Sequence, residues 1–189
     1  MDLIPGKIKP DAGTLLLSEP FMKEKRFKRS VVFLTSHSEE GTVGYILNQR
    51  LDVKLGEVIP QCIGSKLPLY LGGPVQRDSL FFIHSMGGMI KESIEVKKGI
   101  YWGGNFDTLV SLIQRNEIDP EAIRLFIGYS GWSPGQLNKE LEEKSWIVSK
   151  AKADLVFSKD EEKLWKTIMK GMGSDYSQMA EYPEDPSLN

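Results

Sequence analysis

Ser130 stands between two glycines in the stretch GYSGWSPGQL, residues 128–137, a setting in which a hydroxyl can become a nucleophile. The α/β-hydrolase elbow needs glycine on both sides, as G-x-S-x-G, because only glycine relieves the crowding of a strained strand-to-helix turn. Here the order is Gly128, Tyr129, Ser130, Gly131, Trp132, so the second glycine position holds the bulkiest side chain. The chain order of that triad also fails, since His37 and His84 both precede Ser130. No catalytic residue is assigned, and the reading leans away from an enzyme.

The same residues read well as a helix start. Ser133 is placed as an N-cap, Pro134 as the first helical residue and Gln136 as the return arm of a capping box. Trp132 and Leu137 would form the hydrophobic staple, and Glu140 with Lys144 an i, i+4 ion pair. A helix N-terminus also presents free N–H groups to an anion, and Gly128, Gly131 and Gly135 would let a ligand approach the backbone. Joined with GGPV at 72–75 and with Asn48, this defines a candidate ligand-binding set: Asn48, Gly72, Gly73, Pro74, Gly128, Gly131, Trp132, Ser133 and Gln136. Neither GGPV nor the GGN at 103–105 has the spacing of a dinucleotide fingerprint or a P-loop.

Other candidates are weaker. The lone Cys62 has only Lys66 as a local activator and reads as a buried, inert thiol. His37 lies in a polar turn and reads as solvated, and His84 at a strand end reads as a satisfied surface or half-buried residue. Their separation lacks H-x-x-x-H spacing, so no metal site is assigned. The run KEKRFKR, residues 23–29, sets five cations around Phe27. Cations interleaved with an aromatic can grip phosphates and stack a base, which makes Lys25, Arg26, Lys28 and Arg29 candidate nucleic-acid contacts.

The elements that must position these residues follow from patterning. GTLLLSEP is a short apolar strand stopped by Pro20, and SVVFLTSH a strand buried on both faces. SEEGTVGYILN forms a hairpin with its turn at 38–41. VKLGEVIP is helical for a turn or two and ends before Pro60. LPLYLGGPV, SLFFIHS and SIEVKKGIYWGG supply further strands, the last broken by a basic turn. Phe106, Leu109, Val110 and Ile113 form one helical stripe, capped by Asn105 or Asp107. Asp119-Pro120 opens a short helical start before a strand at 124–129; SWIVSK and DLVF read as strands. EEKLWKTIMKG is an amphipathic helix burying Leu164, Trp165 and Ile168, with Gly171 as its C′ residue.

Strands outnumber helices and interleave irregularly, which argues for a mixed-sheet α/β or α+β domain. Residues 1–12 read as an irregular lead-in, 13–171 as one domain, and 172–189 as an acidic tail, either disordered or docked through Tyr176, Met179 and Tyr182. The net charge of -2 over 189 residues supplies no global field for nucleic acid or anionic membrane. No apolar run approaches the ~20 residues that span a bilayer, and no secretory leader is visible. A cytoplasmic protein is expected, with no membrane partner.

In this order, GTLLLSEP, FKRSVVFLTSHSEEGTVGYILNQR, GGPV and GYSGWSPGQLNKEL resemble the AlgH/YqgE family of bacterial proteins, from about Gly13 to Phe157. The family pattern usually has Ala where Ser130 stands, which further weakens a catalytic hydroxyl. The resemblance implies a single α/β domain with a large mixed, barrel-like β-sheet surrounded by helices. It also implies the family's label of transcriptional regulator, which derives from a regulatory phenotype, and it brings no cofactor, substrate or catalytic residue with it. The expectation is a non-enzymatic binding or regulatory protein with an unidentified protein partner, affecting transcription indirectly. A small-molecule pocket or enzyme site at the GGPV and GYSGWSPGQ loops is the alternative, and direct DNA binding the second alternative.

Overall fold

The computed structural model describes residues 8–184. Most of the lead-in and the last five residues of the tail lie outside that range. The strands are β1 (Thr14–Ser18), β2 (Val31–Ser38), β3 (Gly41–Ile46), β4 (Arg50–Lys54), β5 (Pro68–Leu71), β6 (Val75–His84), β7 (Ile94–Lys97), β8 (Ile100–Trp102), β9 (Ile123–Trp132) and β10 (Trp146–Lys150). The helices are α1 (Leu55–Val58), α2 (Phe106–Gln114), α3 (Gln136–Glu142), α4 (Ala153–Val156), α5 (Glu161–Lys170) and α6 (Ser174–Met179).

The strands form one sheet with the path β10-β1-β2-β3-β9-β6-β8-β7, and β4 joins it through β5. All pairings are antiparallel except β5 with β9. The sheet is mixed, as expected, but it is not closed into a barrel: β10 and β7 stand at opposite ends of the path. Closure is unnecessary because helices cover both faces. Leu15 and Leu17 point to one face, where α5 contributes Trp165, Ile168 and Met169. Leu16 points to the other, against Trp132, Trp146 and Leu137 of α3. Further along that second face, α2 buries Leu109, Val110, Leu112 and Ile113 on Leu69, Phe82, Ile123 and Leu125. This period-two division of LLL is what a strand packed on both faces demands.

Several local expectations change. Val53 and Lys54, expected to open the helix, instead end the strand Arg50–Lys54, because Arg50 and Lys54 pair with Tyr70 and Pro68; the helix begins only at Leu55. DLVF is helical: α4 turns Leu155, Val156 and Phe157 into the same core, which an alternating strand would split between two faces. Asn105, not Asp107, caps α2 by accepting from the Thr108 amide at 2.9 Å. Gly171 ends α5 with φ of -75° and not in the left-handed region. The chain then continues into α6, whose Tyr176 and Met179 pack beside the buried Met172 and Ala180.

Candidate functional site

The glycine loops meet on β9. Residues 125–127 pair with β5 on one edge while β6 runs along the other. From Ser130 onward β3 takes over the edge that β5 leaves. At that exchange Gly72 and Gly73 press against the β9 backbone. A Cβ on Gly73 would lie 2.3 Å from the Tyr129 carbonyl, and one on Gly72 would lie 2.3 Å from the Gly128 oxygen. Gly128, at φ of +70°, bends β9 there. Ser130 is fully buried and donates its hydroxyl to the Gly72 carbonyl at 3.0 Å. Chain-on-chain contact therefore fills the space between Gly72, Gly73 and Gly128. Pro74 follows at partial exposure and leads into β6.

The SPGQ stretch differs from the expected cap. Ser133, Pro134, Gly135 and Gln136 form a β-turn closed by the Gln136 amide on the Ser133 carbonyl at 2.9 Å. Gly135 at φ 75° and ψ -12° makes it type II, with Pro and Gly where that turn wants them. Helix α3 thus starts at Gln136 with Gly135 as N-cap and no side-chain cap. One arm of the box survives, with Gln136 Oε1 accepting from the Ser133 amide at 2.9 Å. Trp132 and Leu137 do share a buried cluster. Glu140 makes no ion pair with Lys144; its carboxylate accepts from Trp132 Nε1 at 2.9 Å, Trp146 Nε1 at 2.7 Å and Gln136 Nε2 at 2.9 Å. Lys139–Glu143 is the i, i+4 pair instead.

Asn48 is not brought to this loop. Thr42 of β3 pairs with Trp132, and Asn48 lies beyond the other end of β3; at strand rise that is about 20 Å from Trp132 and the α3 turn. Asn48 instead accepts from the Val31 amide and donates to the Arg29 carbonyl, both at 2.9 Å. Gly131, Trp132 and Ser133 border a separate shallow hollow with Val43 and Val75.

The histidines and the thiol are held internally. His84 is fully buried, more than the strand-end position suggested. Its Nε2 lies 3.1 Å from the Gly103 carbonyl and 2.9 Å from Ser93 Oγ. Nδ1 accepts from the Met86 amide at 3.2 Å, so Nε2 carries the proton. Burial lowers its pKa from the usual 6.5. His37 is half-buried, with Nδ1 2.7 Å from Thr42 Oγ1. Cys62 is buried, and burial raises its thiol pKa. Among the described residues, no three His, Cys, Asp or Glu side chains gather as metal ligands would.

The basic run is divided. Phe27 turns inward against Trp146 and Trp132, with ring centroids at 5.3 and 6.4 Å, so it offers no shelf to a base. Arg26 pairs with Glu24, Lys28 lies 3.4 Å from Glu184, and Arg29 covers the Trp165 ring at 4.9 Å. Lys25 remains exposed. The loop is anchored by Asn48 and by Gln49, whose Nε2 donates to the Arg26 carbonyl at 2.6 Å. Asn48 and the basic run, assigned to different sites from sequence, are therefore neighbours.

Beside them is a constellation that the sequence reading missed. Arg124 is 3% exposed on β9. Its Nη1 donates to the Leu47 carbonyl at 2.6 Å and its Nη2 to the Ser158 carbonyl. Its guanidinium lies 4.5 Å over the Tyr70 ring, and its Nε has no hydrogen-bond partner. The Tyr70 hydroxyl donates to Glu161 at 2.5 Å, and Arg50 approaches the same carboxylate at 3.8 Å. Burial, with Glu161 adding to it, pushes Tyr70 up to about 12. Arg124 thus straps the 47–50 turn to the start of α5. Between these walls lies a hollow of about 630 Å³ lined by Asn48, Gln49, Arg50, Lys159, Asp160, Glu161 and Glu162. The available signal was one cation inside the apolar run AIRLFIGY, since a charge in a doubly buried strand requires partners.

Comparison with known proteins identifies the family and matches the overall fold. The AlgH-like family model matches residues 15–177. A UPF0301 protein of Chlorobium limicola is 41% identical over 183 residues, covering 97% of each chain. One from Cytophaga hutchinsonii is 39% identical over 178 residues, covering 94% of this chain and 98% of its own. A crystal structure of a Corynebacterium diphtheriae protein superposes with a TM-score of 0.77 at 26% identity, covering 93% of this chain and 94% of that one. The solution structure of the AlgH protein from Pseudomonas aeruginosa gives 0.72 at 25% identity, covering 93% and 98%. The chain belongs to the AlgH-like family.

Proposed function

We propose that this chain is a non-catalytic regulatory binding protein that engages a protein partner through the surface formed by residues 25–29, 47–50 and 158–162. The carrying observation is Arg124, a buried cation bound to the carbonyls of Leu47 and Ser158. Burying a charge is costly unless its partners repay it, and here it fixes two loops whose outward side chains are Arg50, Lys159 and Glu162. Three groups elsewhere that could have served as nucleophile or acid–base are occupied: Ser130 by the Gly72 carbonyl, His84 by Gly103 and Met86, Cys62 by burial. Effects on transcription would then pass through the partner. The test is affinity capture from the protein's own cells with the full chain and with Arg50→Glu/Lys159→Glu, using Ile63→Ser on a remote exposed position as control. A partner held by the native chain and the control but lost by the charge variant supports the reading. The same partner held by all three removes it.

A second reading is favoured by the size of the hollow, which falls within the range of about 300–1,000 Å³ usual for small-ligand sites. In it, a small polar molecule seats in the hollow beside the Arg50–Glu161 pair. Stabilisation of the native chain, but not of Arg50→Glu, by a fraction of cell metabolites would support it; equal melting with and without the fraction would count against it.

A further inference from the structure

The C-terminal segment lies across the basic side of this same surface. Glu181 accepts from Lys166 Nζ at 2.6 Å and Lys170 Nζ at 2.7 Å. Tyr182 stacks on Phe21 with centroids 5.7 Å apart and planes 10° apart, and its carbonyl accepts from Arg29. Glu184 lies 3.4 Å from Lys28 and 4.0 Å from Arg29. Arg29 is held in place for these contacts. It takes a left-handed φ of 49°, lies over Trp165, and has a buried Nε without a hydrogen-bond partner. Four residues of acidic peptide therefore use an aromatic shelf, a guanidinium donor to a backbone carbonyl and a row of cations shared between α5 and the 21–29 loop. Exposed ion pairs of this kind are individually weak and screened by salt, so the segment is displaceable.

We infer that Phe21, Lys28, Arg29, Lys166 and Lys170 form a recognition groove for an acidic, aromatic-bearing peptide segment of a partner protein, with residues 181–184 as its intramolecular competitor. The inference rests on the reading of this surface as the one the partner binds, and deepens it by naming the partner's chemistry. Peptide is favoured over nucleic acid because the seated occupant is itself peptide, and because Arg29 reads a backbone carbonyl there.

The test is fluorescence anisotropy with a labelled peptide of residues 180–189 added to the full chain and to full-length Glu181→Gln/Tyr182→Ala/Glu184→Gln. Circular dichroism melting of each protein verifies the fold; Glu184→Gln alone, a milder release, should shift affinity in the same direction. With the internal competitor released, the peptide should bind about ten-fold tighter or more. Adding Lys28→Glu and Lys166→Glu should abolish that gain, and salt should weaken it. Equal affinity for native and released chains, or binding that survives the charge reversals, overturns the groove. Displacement of the peptide by an oligodeoxynucleotide as well as by unlabelled peptide overturns the partner class. A concentration-dependent dimer of the native chain in ultracentrifugation, abolished by the three substitutions, reassigns the groove to a second copy and overturns the inference. If the peptide fails while capture still depends on Arg50 and Lys159, the groove alone falls; if that dependence fails, the broader reading falls.

Discussion

Replacing Gly73 by alanine tests whether the glycine loops are architecture or a ligand cradle. The new Cβ would stand 2.3 Å from the Tyr129 carbonyl carbon and oxygen and 2.4 Å from the Ser130 nitrogen. Those are backbone atoms of β9, the strand on which β3, β5 and β6 all pair, so no side chain can swing aside. Overpacking of this kind costs about 1–3 kcal/mol, and a residue with a side chain at φ of +155° adds about 1–3 kcal/mol of backbone strain. The sum is about 2–6 kcal/mol. Gly135 is the control: its φ of +75° brings strain, but a Cβ there meets nothing within 4 Å. Its replacement by alanine should cost about 1–2 kcal/mol. In a chain of this size each kcal/mol lowers the melting temperature by about 2–4 °C. Urea denaturation of both variants beside the native chain separates the two costs. Equal losses at Gly73 and Gly135 would refute the claim that backbone contact at the β5–β3 exchange, and not conformation alone, requires glycine.

Three other outcomes follow from the same structure. Glu140→Leu strands two indole N–H groups, and should destabilise by about 2–4 kcal/mol in urea while Glu140→Gln costs less; equal costs would dismiss the shared acceptor. Arg124→Met leaves the Leu47 and Ser158 carbonyls unpaired, so amide exchange should accelerate at 158–162 ahead of α2, and uniform acceleration would remove its role as a strap. Burial lowers the His84 pKa from 6.5, so the unfolded chain takes the proton first. Its contribution is complete above about 6.5 and is lost as pH falls through the lower folded value. The melting temperature should therefore drop from about pH 7.5 to about 5.5, with a shallower drop in His84→Gln; parallel slopes would exclude His84 as the source.

Much of the fold was legible because burial leaves periodic traces. Phe106, Leu109, Val110 and Ile113 mark α2, and LLL at 15–17 marks a strand packed on both faces. Residues 50–54 carried no such trace because β4 is largely exposed and is fixed by its partner Tyr70, not by its own pattern. DLVF misled because a single helical turn and a short apolar strand look alike at that length. The open sheet was invisible for a different reason: closure depends on which distant edges meet, and no local pattern encodes that. At the site, the glycines were visible but their cause was not, since Gly72, Gly73 and Gly128 are required by one another across the fold. Asn48 was placed with Gln136 as a further polar lining residue, whereas β3 holds them at opposite ends. Arg124 was written in the sequence as a charge among apolar residues, and only the tertiary fold supplies the carbonyls that explain it.

Native mass spectrometry of the chain isolated gently from its own cells, beside its denatured mass, tests the central claim most directly. The account predicts a retained protein-sized partner that dissociates in Arg50→Glu/Lys159→Glu. A retained small molecule with no protein partner, unaffected by those substitutions, would contradict it.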